Sequence, residues 1–177
     1  MMRQDEHTRK EQNERNEPTR VVELPTFTLA GISAVTTNAD ELNGNGKIGK
    51  LFEQFHSNNI VSQLKQYQQQ PGHFSCYYNY EDNDAGQYEI MVGLHVKETP
   101  QDQFPEYINT FTIPSAKYAV FVTEQGPIIE VVQRAWSYIW EWSKQSGYER
   151  AFSGDFEYYD QHINPNDGQA EIYIAIR

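Results

Sequence analysis

The chain has 177 residues, a net charge of −11 and an aromatic content of 14%. That length suits one domain, and large rings can build its core from few residues. Residues 1–20 are charge-balanced, five basic against five acidic, so the remainder carries the whole excess with nine basic against 20 acidic. Such a body repels phosphate backbones, which argues against direct nucleic-acid binding. It favours a cationic or neutral small ligand, or a basic protein partner.

No apolar run approaches the ~18–20 residues that cross a bilayer, and the start lacks an apolar signal core. The single cysteine, Cys76, leaves no disulfide within the chain. The expectation is a cytoplasmic protein without membrane association. Cys76 has no Cys–His pattern around it and reads as a packed thiol rather than a nucleophile.

Residues 1–19 hold almost no apolar side chain, which predicts a disordered polar tail. It is too short and polar for a helix-turn-helix unit, so the chain is expected to lack a DNA-binding domain. From Arg20 a strand is expected, interrupted or bent at Pro25, because proline cannot serve a central ladder. Asn38 to Gly46 reads as a polar, Gly-rich loop. Ile48, Leu51, Phe52 and Phe55 recur at i, i+3, i+4 and i+7, one face of a helix over Lys47–Asn58. Ile60, Leu64 and Tyr67 predict a second short helix ending before Pro71-Gly72. Phe74–Tyr80 and Tyr88–Val96 form a hairpin around Asp82–Gly86. Thr99–Pro105 is a polar connector.

The second half replays this order. Ile108–Ile113 meets Pro114, and Tyr118–Thr123 continues as a strand. Gln125-Gly126-Pro127 opens a helix over Ile128–Ser143. Phe156–Asp160 and Glu171–Ile176 are the last strands. Glu23-Leu24-Pro25 matches Thr112-Ile113-Pro114 at an offset of 89, and His73–Tyr77 matches Asp155–Tyr159 at an offset of 82. Each half is strand, helix, strand, strand. The predicted class is α+β: two such modules, at about 20–98 and 106–177, form a pseudo-two-fold antiparallel sheet with two main helices beside a central cleft.

One stretch stands out, Gly154-Asp155-Phe156-Glu157-Tyr158-Tyr159-Asp160. Alternation on a strand puts Glu157 and Tyr159 on one face, with Phe156 and Tyr158 on the other. A Glu among rings is either at a solvated edge or held in a pocket. Its repeat counterpart is Ser75, so the scaffold does not require a carboxylate there. On the second long helix, Ile128, Val131, Val132, Ala135, Ile139 and Trp142 form a core stripe. Ile129, Trp136 and Trp140 form a neighbouring stripe, either a cleft wall or part of a broad buried face. The five histidines are scattered without metal-ligand spacing, so no metal and no other cofactor is expected.

The chain resembles the GyrI-like (gyrase-inhibitor-like) effector-binding domains, which are fused to AraC- and MerR-type regulators or stand alone. Three stretches carry the likeness: Tyr77-Tyr78-Asn79-Tyr80-Glu81 with Gly86-Gln87-Tyr88-Glu89 and Val92-Gly93; Ile113-Pro114 with Tyr118-Ala119-Val120-Phe121; and Trp142 with Ser146-Gly147-Tyr148-Glu149 and Asp155–Asp160. It spans about residues 20–177. Ser143-Lys144 departs from the Leu-Pro that often follows the tryptophan. The resemblance implies a cleft in which Glu157 faces a cationic, aromatic small molecule. Tyr159, Trp136, Trp140, Tyr77 and Phe52 are the other candidate ligand-binding residues. It further implies a stand-alone module for drug or toxin sensing or sequestration, linked to transcription through a separate regulator protein. The alternatives it carries are a hydrolase of cyclopropane-type electrophiles using Glu157 with Tyr159 or Tyr77, and a protein-binding gyrase-inhibitor-like role.

Overall fold

The computed structural model describes residues 17–177. The expected tail therefore lies, over residues 1–16, outside the described residues. Residue Thr19 already joins the ladder: its N–H donates to the Val120 carbonyl at 2.8 Å, and its hydroxyl accepts from the Val122 N–H at 3.1 Å.

The chain runs β1 (Arg20–Leu24), β2 (Phe27–Thr37), α1 (Asn38–Leu42), α2 (Ile48–Ser57), α3 (Ile60–Leu64), β3 (His73–Tyr78) and β4 (Gln87–Val96). It continues with β5 (Asn109–Ile113), β6 (Ala116–Val122), α4 (Ile128–Gln145), β7 (Asp155–Tyr159) and β8 (Glu171–Ile176). The eight strands form one antiparallel sheet in the order β1-β6-β8-β7-β3-β4-β2-β5. The order is symmetric about the β7–β3 pair. Each half contributes three adjacent strands, β6-β8-β7 and β3-β4-β2, with its helices between the first and second in sequence. The duplicated α+β architecture expected from the sequence is the one observed.

The two proline matches have a topological meaning that the sequence did not disclose. The strand expected to be interrupted or bent at Pro25 is interrupted there, and its two parts also part company. β1 and β2 are separate strands with different partners, β1 on β6 and β2 on β4 and β5. At Pro114 the chain makes the reciprocal change, from β5 on β2 to β6 on β8. Each module thus lends its first strand to the edge of the other. Proline lacks the N–H that a continuous ladder would need at the crossover.

A correction concerns Asn38–Gly46, expected to be a loop. Asn38–Leu42 is helical because the Thr37 hydroxyl accepts from the Asp40 N–H at 3.0 Å and caps the turn. The Glu41 carboxylate then accepts from the Lys47 N–H at 2.7 Å and ties this turn to the start of α2. The opposed glycines Gly31 and Gly93 allow β2 and β4 to approach closely. A Cβ on Gly31 would lie 2.0 Å from the Val92 carbonyl oxygen.

The helices cover one face of the sheet in two patches. Leu51, Phe55, Ile60 and Leu64 from α2 and α3 pack on Ile90, Val92 and Leu94. Val132, Ile139 and Trp142 from α4 pack on Phe121, Ile172 and Ile174. The opposite face has its own core of Phe74, Cys76, Tyr118 and Phe156, closed partly by Phe27 and Phe111. Tyr78 stacks on Phe111 at 4.0 Å, and Phe156 on Tyr173 at 4.5 Å. Burying such a ring is worth about 2–3 kcal/mol, so both faces of the central strands are anchored and their cleft side chains sit on a rigid floor.

Candidate functional site

Between α2–α3 and α4 opens a cleft of about 1350 Å³, floored by β3 and β7. Ser75 pairs directly with Glu157 across these strands. Since the two are also counterparts in the repeat, the pseudo-two-fold axis passes between them. Alternation directs His73, Ser75 and Tyr77 of β3, and Asp155, Glu157 and Tyr159 of β7, to the helix-covered face.

Glu157 is 2% exposed and lies in this floor, so the solvated-edge alternative is excluded. Its Oε2 accepts from the Tyr77 hydroxyl at 2.8 Å and the Trp136 Nε1–H at 2.7 Å. Its Oε1 accepts from the Tyr159 hydroxyl. Tyr77 and Tyr159 are repeat counterparts, so pseudo-symmetry brings two phenols onto one carboxylate. No Lys or Arg is among its hydrogen-bond partners within the described residues. Burial raises the Glu157 pKa, while the bonds from Tyr159, Trp136 and Tyr77 oppose that rise. Burial first, and the Glu157 charge second, hold the Tyr77 and Tyr159 phenols well above their ordinary range. Both phenols therefore stay protonated and serve as donors.

The walls are aromatic. Trp136 meets Tyr77 edge-on at 5.3 Å and neighbours Trp140 at 6.4 Å. Both tryptophans are half-buried and line the cleft, whereas Ile139 and Trp142 of the same helix lie in the core. The second stripe is thus a cleft wall rather than part of the buried face. Its other member, Ile129, is 75% exposed at the rim. Phe52 approaches Tyr159 edge-on at 6.3 Å from the α2 side. All six residues singled out in the sequence line this one cleft, with Tyr77, Tyr159 and Trp136 each bonded to Glu157.

Sequence reasoning missed two parts of it. His73 stacks on Tyr159 at 4.9 Å with an interplanar angle of 11°. Burial, and then the nearby His56, push its imidazole down to about 4, so it is neutral near pH 7. Strand alternation from Ser75 was the available signal. The second part is a buried network on Asp155, which is 0% exposed. Its Oδ2 accepts from the Tyr80 hydroxyl at 2.6 Å and Arg150 Nη2 at 2.8 Å, and its Oδ1 from the Ala175 N–H at 2.8 Å. No local pattern announces the Arg150–Asp155 pair, because the turn between them sets it.

Among the described residues there is no group of three or more His, Cys, Asp or Glu side chains placed to hold a metal ion. No described helix is long and apolar enough to cross a membrane. Cys76 is buried in the opposite core, where burial pushes its thiol up.

Comparison with known proteins agrees with this architecture. The Cass2 family, described as integron-associated effector binding proteins, matches residues 20–176. YobU of Bacillus subtilis, a protein named for transcriptional regulation, is 35% identical over 150 residues, covering 84% of this chain and 91% of that protein. The integron cassette protein VCH_CASS2 of Vibrio cholerae is 29% identical and superposes with a TM-score of 0.67 over 89% of this chain and 95% of its own. SAV2435, solved bound to tetraphenylphosphonium, shares the fold with a TM-score of 0.74 at 18% identity, covering 89% of this chain and 93% of its own. The likeness to GyrI-like effector-binding domains drawn from the sequence agrees with these matches, and the chain belongs to the Cass2 family of integron-associated effector-binding proteins.

Proposed function

We propose that the cleft binds a bulky, aromatic organic cation and that Glu157 is its counter-charge. One observation carries this reading: a carboxylate 2% exposed, held by three neutral donors, with no basic side chain among its partners in the described residues. Burying an unpaired charge is costly, and a cationic ligand would offset that cost while a neutral one would not. Tyr77, Tyr159, Trp136, Trp140 and Phe52 would supply ring faces and edges, with cation–π attraction of about 0.5–2 kcal/mol each. The fold relative SAV2435 was solved with a cation of this kind, tetraphenylphosphonium. The net charge of −11 would further raise the local concentration of cations.

The family description and the naming of YobU support a link to regulation. In this reading the module senses or sequesters its ligand and passes the signal to a separate regulator protein. A hydrolytic role for Glu157 and Tyr159 is less favoured. Both phenols resist ionisation, and the carboxylate already accepts three hydrogen bonds, leaving about one of its four lone-pair directions to activate water.

Calorimetric titration of tetraphenylphosphonium into the wild type and Glu157→Gln tests the proposal. Gln keeps the shape and one acceptor oxygen but removes the charge. The expected outcome is binding by the wild type that weakens roughly tenfold or more in the variant. Equal affinities would refute the reading.

A further inference from the structure

The far end of the cleft holds a buried cation, Arg150. Arg150 lines both the main cleft and an adjoining one of about 880 Å³. Its side chain is 5% exposed. Nη2 is used by Asp155, and Nη1 lies 3.6 Å from the exposed Asp84 carboxylate, beyond a good hydrogen bond. Within the described residues Nε and Nη1 have no hydrogen-bond acceptor. Buried guanidinium N–H groups are ordinarily satisfied, and each orphan calls for a partner.

The surroundings reinforce this. Three of the chain's 14 Lys and Arg residues line the adjoining cleft: Arg150, with Lys144 paired to Glu141 at 3.6 Å and Arg177 paired to Glu149 at 3.8 Å. The acidic side chains there are Asp84 and Glu149, in a protein where acids outnumber bases 25 to 14. Phe152 holds the guanidinium from one face at 4.3 Å. Phe152 adopts φ = 53°, a left-handed conformation unfavourable for a non-glycine residue. Tyr80 bridges the two ends. It donates to Asp155 beside Arg150, and its ring neighbours Tyr88 at 5.9 Å, which in turn lies 5.8 Å from Tyr77.

We propose that Arg150 is the acceptor-binding subsite of the same cleft, so that the preferred ligand is an aromatic cation that also carries a carboxylate. The positive ring system lies over Glu157, and the carboxylate accepts from the free N–H groups of Arg150. This inference rests on the cation-cleft reading above and narrows it to a zwitterionic ligand class.

Three probes separate the two readings. Rhodamine 110 is a xanthene cation with a free carboxylate, rhodamine 123 is its methyl ester, and tetraphenylphosphonium has no acceptor. Fluorescence and calorimetric titrations are run on the wild type, Arg150→Lys, and the double variant Arg150→Met/Asp155→Asn. The lysine variant retains a cation for Asp155, and the double variant removes both members of the Arg150–Asp155 pair, so neither is left as an unpaired charge if the single change misfolds. The wild type is expected to prefer rhodamine 110 over rhodamine 123 by roughly tenfold. Both variants are expected to erase that preference while binding tetraphenylphosphonium at least as well as the wild type. Tetraphenylphosphonium binding without discrimination between the dyes, or discrimination that survives in both variants, overturns this inference alone. Failure of all three probes on the wild type overturns the cation reading as well.

Discussion

The two modules share a backbone plan but not a chemistry. On β3 the cleft-facing positions are His73, Ser75 and Tyr77; on β7 their counterparts are Asp155, Glu157 and Tyr159. The first set is neutral near pH 7, with His73 held down to about 4 and the buried Ser75 hydroxyl left without a partner. The second set holds two buried carboxylates, one neutralised by Arg150 and one bonded only to neutral donors. Their helices differ too. The first module covers its half with the broken pair α2–α3, and the second with an uninterrupted 18-residue helix carrying Trp136 and Trp140. Symmetry supplies the two tyrosines that converge on the axis; asymmetry supplies the single charge between them.

Moving that charge gives the largest expected effect. In Glu157→Ser the floor becomes neutral on both sides, and tetraphenylphosphonium affinity should fall roughly tenfold or more by calorimetry. The reciprocal Ser75→Glu/Glu157→Ser swap tests whether the axis position or the residue matters. It should recover part of the binding, because Tyr77 and Tyr159 are related by the same axis.

Next come the donors. Tyr159→Phe and Tyr77→Phe each leave the buried carboxylate one hydrogen bond short, which should cost about 1.5–3 kcal/mol in urea unfolding at pH 7. Each should also raise the Glu157 pKa further, moving the pH at which the cation binds upward. A variant with unchanged stability and unchanged binding would show that its phenol does not support the charge.

A comparable effect lies in the pH dependence of the neutral half. The His73 pKa is lowered on folding, so below about 6.5 the unfolded chain binds a proton that the folded chain refuses until about 4. Stability is therefore lost as pH falls through that window, by roughly 2–3 kcal/mol. His73→Phe keeps a ring on Tyr159 and should flatten this limb in unfolding curves measured from pH 4 to 7. Glu157 acts with the opposite sign. Its pKa is raised, so its contribution declines as pH rises above 4.5, and Glu157→Gln should gain stability relative to the wild type toward pH 8. The smallest effect belongs to Ser75→Ala. Removing an unpartnered buried hydroxyl should be neutral or stabilising, within about 1 kcal/mol.

The site was more legible in the sequence than the strand exchange. Periodicity fixes which side chains share a face, so Glu157 with Tyr159, and Trp136 with Trp140, could be grouped without a structure. The 82-residue offset paired Ser75 with Glu157, and these residues face each other in the sheet. Pairing partners are not a local property, however. Pro25 reads as an interruption or bend and Pro114 as the end of one strand run before the next, and nothing near them states that β1 and β5 cross to the other module. The Thr37 cap was readable as Thr-x-x-Asp but was masked by the glycines after it. Arg150 reaches Asp155 only because Phe152 and Gly154 take positive φ values of 53° and 145° between them. Propensity does not announce such a conformation at Phe152.

The most direct measurement is the affinity of tetraphenylphosphonium, whose own charge does not titrate, from pH 5.5 to 8 for the wild type and Glu157→Gln. His73 is already neutral across this range, and Tyr77 and Tyr159 stay protonated. If the Glu157 carboxylate is the counter-charge, the wild type binds more tightly than the variant wherever that carboxyl is ionised and loses affinity toward acid as it takes up a proton, and the variant stays weak and flat. Parallel curves of equal affinity would contradict it.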